Sequence, residues 1–176
     1  MKEKNIKTYK PKLEDLWFRQ DLLQDEDTMS FNHAWGGVIS FTKDIWDDWY
    51  NFWLIDNEDK RFYRYLMNED NVFIGEIAYH YDKDNNMYLA NIIIHSKYRN
   101  LGYGSKGLDL LCKIAKENGI KTLYDDIAID NKAIKLFIKH RFIEEKRTDK
   151  IILLKKELWY RLTSFMAGVS FFCTLI

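Results

Sequence analysis

NIIIHSKYRNLGYG, at positions 91–104, is the most informative part of this sequence. Three consecutive isoleucines predict a buried β-strand, and the amphipathic pattern that follows Gly104 predicts a helix. Glycines at the start of a helix let backbone N–H groups approach an anion closely, and the helix N-terminus adds a partial positive charge. A strand, a glycine-containing turn and a helix in this order favour a phosphate-binding loop, in which Arg99 could add a charged donor.

The spacing within this loop is more specific than its composition. Arg99-x-x-Gly102-x-Gly104 follows Ile94-x-Ser96-x-Tyr98, and the pair resembles motif A of the GNAT N-acetyltransferase superfamily. In that family the loop binds the pyrophosphate of acetyl-coenzyme A (acetyl-CoA), and the backbone of the preceding strand binds its pantetheine arm. The resemblance therefore implies a set of contacts to the cofactor from the strand and the loop. They are Ile92, Ile93, Ile94, Arg99, Asn100, Leu101, Gly102, Tyr103, Gly104 and Ser105.

Composition limits the kind of protein this is. The chain has 176 residues, 47% of them hydrophobic, which suits one domain with a substantial core. Basic and acidic residues number 27 each, so no overall positive field favours nucleic acid as a partner. Cys112 and Cys173 are too few and too far apart for a disulfide framework or a zinc cluster, and we expect no metal. The charged N-terminus lacks the apolar run of a signal peptide, which favours a cytoplasmic protein.

Apolar periodicity predicts an α+β protein. The strand–helix–strand order after residue 87 requires a parallel crossover. The resemblance refines this to a GNAT-like mixed, mostly antiparallel sheet with a splayed central pair of parallel strands, flanked by helices, over residues 1–158. The predicted strands are 6–10, 61–67, 72–81, 87–95, 122–129, 142–146 and 150–158. The predicted helices are 13–23, 42–55, a helix that ends at Gly119, and 133–140.

A second GNAT motif, Asn-x-x-Ala-x-x-x-Tyr-x-x-x-Gly-Phe, is matched in part by residues 130–142. Asn131 lies one position late for the family's asparagine, and it is expected either to contact the cofactor or to cap a helix. Phe137 stands where many members carry a tyrosine that can protonate the departing thiolate, so that role is vacant or filled elsewhere. Arg141 replaces a glycine, at a cost of about 1 kcal/mol if its backbone is left-handed.

Acetyl transfer to an amine also needs a group that takes the amine proton, and several candidates remain open. On the predicted strand 72–81, Glu76 and His80 alternate in phase with Ile74 and Ala78, so all four are expected on one face. If that face lines the cleft, Glu76 could accept the proton through a water molecule. An unassisted reaction, with water carrying the proton, is the alternative.

The acceptor site is predicted from acidic and aromatic residues. Asp125 and Asp126, on the strand after the glycine-loop helix, are further candidates for the base or for anchoring the amine; we take Asp126 as catalytic and Asp125 as a substrate contact. In GNAT proteins the first helices and their loop form the acceptor wall, and here residues 31–53 are rich in Trp and Asp. Trp35 and Trp46 are therefore predicted to contact a cationic amine, with packing against the sheet as the alternative.

These features predict an acetyl-CoA-dependent N-acetyltransferase that acts on a small cationic amine, such as an aminoglycoside or another amine metabolite. Two alternatives stay open: a peptide or protein acceptor, and a module that binds coenzyme A in a regulatory role without turnover. Residues 159–176 form an apolar tail without an assigned role. Its apolar run is shorter than the about 20 residues of a membrane-spanning helix, and it could instead support self-association into a homodimer.

Overall fold

The computed structural model describes residues 5–56 and 60–159. Within them, seven strands form one sheet in the order β1-β2-β3-β4-β5-β7-β6. Each neighbouring pair is antiparallel except β4 and β5, which are parallel. This mixed sheet confirms the predicted fold class. The strands are β1 (Lys7–Tyr9), β2 (Arg61–Met67), β3 (Phe73–Asp82), β4 (Met87–Ile94), β5 (Thr122–Ala128), β6 (Ile143–Arg147) and β7 (Ile151–Glu157).

Helices cover both faces of the sheet. The α-helices are α1 (Trp17–Gln24), α2 (Glu26–Met29), α3 (Trp46–Tyr50), α4 (Tyr103–Glu117) and α5 (Ile134–Lys139). The helix predicted over 42–55 is divided into a 3₁₀ turn (Lys43–Ile45), α3 and a π-helical turn (Asn51–Ile55). The sequence did not predict α2 or the 3₁₀ turn that follows it (Ser30–Trp35). Asp25 begins α2 as its N-cap, because its side chain accepts a hydrogen bond from the N–H of Thr28 at 2.9 Å.

Two hydrophobic cores lie on opposite faces of the sheet. Side chains of successive strand residues alternate between them, so Ile93 packs in one core and Ile94 in the other. We call the face covered by α4 and α5 the cofactor face, after the predicted cofactor loop that precedes α4. Its core includes Leu108 and Phe137. The face covered by α1 and α3 is called the acceptor face, and its core includes Phe18.

An irregularity in the pairing of β2 and β3 changes the face that Ile74 occupies. Leu66 lies opposite Gly75, but the next residue, Met67, lies opposite Phe73, so Ile74 is an extra residue on β3. Ile74 packs into the core of the cofactor face, whereas Ala78 packs into the core of the acceptor face. The prediction that Ile74 shares a face with Glu76 and Ala78 is therefore wrong.

The glycine-loop helix ends where the sequence predicts. Gly119 follows the C-cap residue Asn118 with φ 82°, the left-handed conformation that ends helices, and its N–H donates to Lys116 O. The backbone of Arg141 is also left-handed, with φ 67°. An arginine at this position, where the second GNAT motif has glycine, therefore costs about 1 kcal/mol in backbone strain.

Of the predicted apolar tail, 159–176, all but Trp159 lies outside the described residues. The indole Nε1 of Trp159 donates to Ile120 O at 3.0 Å, which fixes the end of the described chain on the domain. Among the helices of the described residues, none combines the length and the apolar character needed to cross a bilayer.

Candidate active site

The parallel strands β4 and β5 pair only near their beginnings. Tyr88 lies opposite Leu123 and Leu89 opposite Tyr124, and no further positions are paired between these two strands. Because β4 continues to Ile94 and β5 to Ala128, a gap opens between them. This gap is a cleft of about 730 Å³. The β4 backbone groups that face β5 beyond Leu89 therefore have no strand partner there, and they can bind an extended ligand.

The N-terminus of α4 lies at this cleft. Its N-cap residue, Gly102, has φ 89°, and no atom lies within 4 Å of the position that a Cβ would occupy. Within the described chain no side chain caps the helix, so the N–H groups of its first turn are available to an anion. Asn100 and Gly104 line the cleft, which places the loop beside the gap.

Three loop side chains do not line the cleft. Leu101 is exposed, and Tyr103 is only 4% exposed because its ring packs into the core of the cofactor face. Ser105 Oγ lies 2.6 Å from His140 Nε2, and His140 Nδ1 lies 2.6 Å from Asp109 Oδ1. A contact from these loop residues to a bound anion would therefore come from their backbone N–H groups.

The side chain of Arg99 joins two segments of the chain. Its Nε donates to Ile94 O at 3.1 Å, Nη1 donates to Asp27 O at 3.0 Å, and Nη2 donates to Thr28 O. Although Arg99 lines the cleft, its guanidinium is occupied by main-chain carbonyls at the ends of β4 and α2. The prediction that this side chain wraps the pyrophosphate is corrected accordingly: here it holds α2 against the loop.

Asp125 enters the cleft from the cofactor face. It alternates with Leu123 and Ile127, which both pack in that core, and it is 8% exposed. No hydrogen bond or ion pair joins its carboxyl group to another described residue. Burial, and then the charge of Asp126, raise the pKa of Asp125 well above its ordinary value. The predicted substrate contact of Asp125 thus lies on the side of the sheet that α4 and α5 cover.

Phe137 and Asn131 lie at the same side of the cleft. Phe137 is 3% exposed and packs edge-on against Phe142, with 5.0 Å between ring centroids. Asn131 lines the cleft and also accepts a hydrogen bond from the N–H of Ala133 at 2.8 Å through Oδ1. Asn131 therefore lies just before α5, whose N-cap is Ala133, and its contact with a cofactor stays a prediction.

His80 and Asp126 enter the cleft from the acceptor face. His80 lies directly opposite Leu89, the last β4 residue that pairs with β5. Burial, and then the charge of Arg61, lower the pKa of His80 below its ordinary value, so its ring is neutral near physiological pH. Asp126 alternates with Asp125, is exposed, and lines the cleft.

Phe31, Asn32 and Trp35, from the 3₁₀ turn after α2, also line the cleft. Trp35 is 46% exposed and lies at the cleft, and its contact with an amine stays a prediction. The turn is held near the end of β5 by His33, whose Nε2 lies 3.2 Å from Asp130 Oδ1. Sequence reasoning missed Phe31 and Asn32 because it did not recognise α2. The Asp25-x-x-Thr28 start of that helix was the available signal.

Glu76 does not lie in the cleft. Its side chain is 0% exposed and is bound by the guanidinium of Arg19 and the hydroxyl of Tyr63. The Arg19 guanidinium is in turn enclosed by the rings of Phe41 and Trp49, with 4.6 Å from its central carbon to the Trp49 centroid. The prediction of Glu76 as the catalytic base is wrong, because the carboxylate belongs to a buried ion pair in the core of the acceptor face.

Trp46 is also a core residue. It is 9% exposed, its ring stacks on that of Phe41, and its Nε1 donates to Phe41 O at 3.3 Å. It does not line the cleft, so the predicted acceptor contact of Trp46 is wrong. The alternative reading, in which this tryptophan packs a helix against the sheet, is correct.

Comparisons with known proteins agree with this geometry. The sequence matches the acetyltransferase (GNAT) family over residues 16–142. An N-acetyltransferase from Staphylococcus aureus Mu50 is 20% identical with a TM-score of 0.69, covering 89% of this chain and 99% of that one. A spermidine N-acetyltransferase from Vibrio cholerae, solved with CoA and spermine, is 17% identical with a TM-score of 0.69, covering 88% and 95%.

A domain from Methanocaldococcus jannaschii DSM 2661 is 17% identical with a TM-score of 0.70, covering 88% of this chain and 99% of its own. No protein with a curated description matches the sequence significantly. At these identities the structural likenesses show the fold, whereas the family match spans most of the sequence. Since that match includes both the glycine loop and the strands that form the cleft, the chain belongs to the GNAT acetyltransferase family.

Proposed function

We propose that this protein transfers the acetyl group of acetyl-CoA to a primary amine of a small cationic molecule. The observation that carries the proposal is the cleft between β4 and β5, which opens beside the uncapped N-terminus of α4. An extended thioester arm fits a gap between strands, and a diphosphate fits open N–H groups at a helix N-terminus. The space beside Gly102 leaves room for that diphosphate.

The cofactor contacts follow from this placement. The backbone of Ile92, Ile93 and Ile94 would bind the pantetheine arm, because β4 has no partner on that side there. The N–H groups of residues 102–105, with Asn100, would bind the diphosphate at the helix N-terminus. Asn131 would contact the arm from the start of α5.

The acceptor would approach from the acceptor face. Asp126 offers an exposed carboxylate in the cleft, and Trp35 offers an aromatic ring at its edge. A carboxylate beside an aromatic ring suits an ammonium group, through an ion pair and a cation–π contact. The structural likeness to an acetyltransferase solved with spermine also supports an amine acceptor.

His80 is the group we propose as the base. Its neutral ring lines the cleft on the same face as Asp126, and its nitrogens make no hydrogen bond to another described residue. A base must be unprotonated at the working pH and within reach of the amine, directly or through one water. His80 would remove a proton from the ammonium group held by Asp126, so that the amine nitrogen can attack the thioester carbonyl.

A thiol-release assay with acetyl-CoA and a panel of acceptors tests the proposal. The panel contains polyamines, an aminoglycoside, simple monoamines and lysine-containing peptides. We expect turnover with small cationic amines. The Asp126→Asn variant should raise KM for di- and polycationic amines about tenfold, equivalent to about 1.4 kcal/mol, and should change KM for monoamines less.

Two results would contradict the proposal. Turnover with peptides alone would assign a macromolecular acceptor. Tight binding of coenzyme A without turnover on any acceptor would instead indicate a regulatory module, the alternative that the phenyl ring of Phe137 leaves open.

A further inference from the structure

We propose that Asp125 is the acid that protonates the thiolate of coenzyme A as it leaves. This inference rests on the proposed function, because it assigns a second proton transfer to the same cleft. It concerns the cofactor face, whereas the base and the amine belong to the acceptor face.

Asp125 stands at the point where the two parallel strands separate. Its predecessor, Tyr124, is the last β5 residue paired with β4, opposite Leu89. Asp125 is therefore the first β5 residue at the closed end of the gap. An arm that enters from the α4 end of the cleft and runs along β4 carries its thioester toward this closed end.

The environment of the carboxyl group suits an acid. Asp125 is more than nine-tenths buried, lines the cleft, and has no hydrogen bond or ion pair to another described residue. A buried carboxyl group without a partner favours its neutral form. The raised pKa, caused by burial and by Asp126, agrees with a group that keeps its proton to higher pH than an ordinary aspartate.

Among the described residues, few charged side chains lie near Asp125 in the cleft. The charge of Asp126, its neighbour on β5, raises the pKa of Asp125. Leu154 lies opposite on β7. Further titratable or charged side chains that line the cleft come from three other elements. They are His80 on β3, Arg99 in the glycine loop and Lys132 before α5.

Phe137 explains why such an acid is needed. It lines the cleft from the same face as Asp125, but a phenyl ring has no proton to donate. In the reaction the amine nitrogen bonds to the carbonyl carbon, and the C–S bond breaks with its electron pair on sulfur. Asp125 gives its proton to that sulfur and is reprotonated from solvent. The ammonium loses two protons, one to His80 and one to solvent water, and His80 returns its proton to solvent. Asp125 takes one proton back from solvent, so the net products are an amide, a thiol and one proton.

Infrared difference spectroscopy tests the assignment without an acceptor. The spectrum of the wild type minus that of Asp125→Asn should contain the carbonyl band of a protonated carboxylic acid near neutral pH. Coenzyme A should shift this band, because its sulfur would lie beside the acid. Calorimetry should give nearly the same affinity for coenzyme A in both proteins, which also shows that the variant is folded.

A turnover assay is the second test of the role of Asp125. It includes a rescue experiment that would fail if Asp125 had a purely structural role. Asp125→Asn should lower kcat by about 10²–10⁴-fold and remove the decline of kcat at alkaline pH. Adding Phe137→Tyr to Asp125→Asn should restore at least about tenfold of the loss, since a tyrosine there would supply a proton to the same sulfur. Asp126→Asn is the matched control: Phe137→Tyr should not rescue it.

The outcomes separate this inference from the proposed function. Absence of the acid band, a band that coenzyme A leaves unchanged, or a loss of kcat without rescue and without a changed pH profile would overturn the role of Asp125. A shifted band together with no turnover on any amine would support the acid beside the thiol and overturn the proposed acetyl transfer alone.

Discussion

Asp125 and Asp126 are consecutive residues of β5, and they enter the cleft from opposite faces of the sheet. Asp125 alternates with core residues under α4 and is buried, whereas Asp126 is exposed on the face covered by α1 and α3. This division gives two adjacent carboxyl groups different environments. The buried one favours the neutral acid, and the exposed one suits an ion pair with an amine.

His80 makes the pH dependence of the reaction predictable. Its pKa lies below the ordinary value, so the neutral ring that accepts a proton is present above that pKa and is lost as the pH falls through it. We expect kcat/KM to decline on the acidic side at a pH below the ordinary pKa of histidine. His80→Gln should lower kcat/KM about 10²–10⁴-fold and remove this decline. A variant that keeps the acidic decline would show that another group is the base.

Glu76 is expected to matter for stability. Removing one partner of a buried ion pair leaves an uncompensated charge, so Glu76→Ala should lower the free energy of unfolding by about 3–5 kcal/mol, measured by urea denaturation. The milder Glu76→Gln keeps the size of the side chain and should leave the pH profile of kcat/KM unchanged in the folded fraction. If Glu76→Gln were fully folded and lost the acidic decline, the carboxylate would be the base after all.

Arg99 should affect the acceptor more than the cofactor. Its guanidinium holds the end of α2, and the segment that directly follows α2 carries Phe31 and Trp35 into the cleft. Arg99→Ala should cost about 1–3 kcal/mol of stability and raise KM for the amine, with a smaller change in the affinity for coenzyme A. If Arg99→Ala weakened the binding of coenzyme A as much as a Gly102 variant does, the Arg99 side chain would be shown to bind the diphosphate.

Gly102 and Gly119 form a matched pair. Both have positive φ and open space within 4 Å of the point where a Cβ would lie, but Gly102 begins α4 and Gly119 follows its end. Replacing either by alanine should therefore cost a similar amount of stability, about 1 kcal/mol. Calorimetry should show weaker binding of acetyl-CoA, by about tenfold or more, for Gly102→Ala alone. Equal affinities in the two variants would exclude a diphosphate at this helix N-terminus.

The sequence was informative where a pattern is local. The order of strands and helices from β2 to β7 and the end of α4 at Gly119 follow from short-range signals. The errors came from packing. Whether Trp46 faces a core or a cleft depends on Phe41, which is not part of the helical pattern.

Glu76 shows a second limit. Its side chain lies on the predicted face with Ala78, but an arginine from α1, far away in the sequence, binds the carboxylate in the core of that face. This partner cannot be read from the alternation of one strand. The opposite faces of Asp125 and Asp126 do follow from alternation, but the burial that distinguishes them requires the neighbouring helices and strands.

A titration of ¹⁵N-labelled protein with coenzyme A, followed by NMR, locates the bound cofactor. In our proposal the cofactor lies between β4 and β5, with its diphosphate at the N-terminus of α4. We predict the largest amide shifts at residues 102–105 and 92–94, with little change at Gly119. Shifts confined to other surfaces, or no shifts at saturating coenzyme A, would exclude this binding mode.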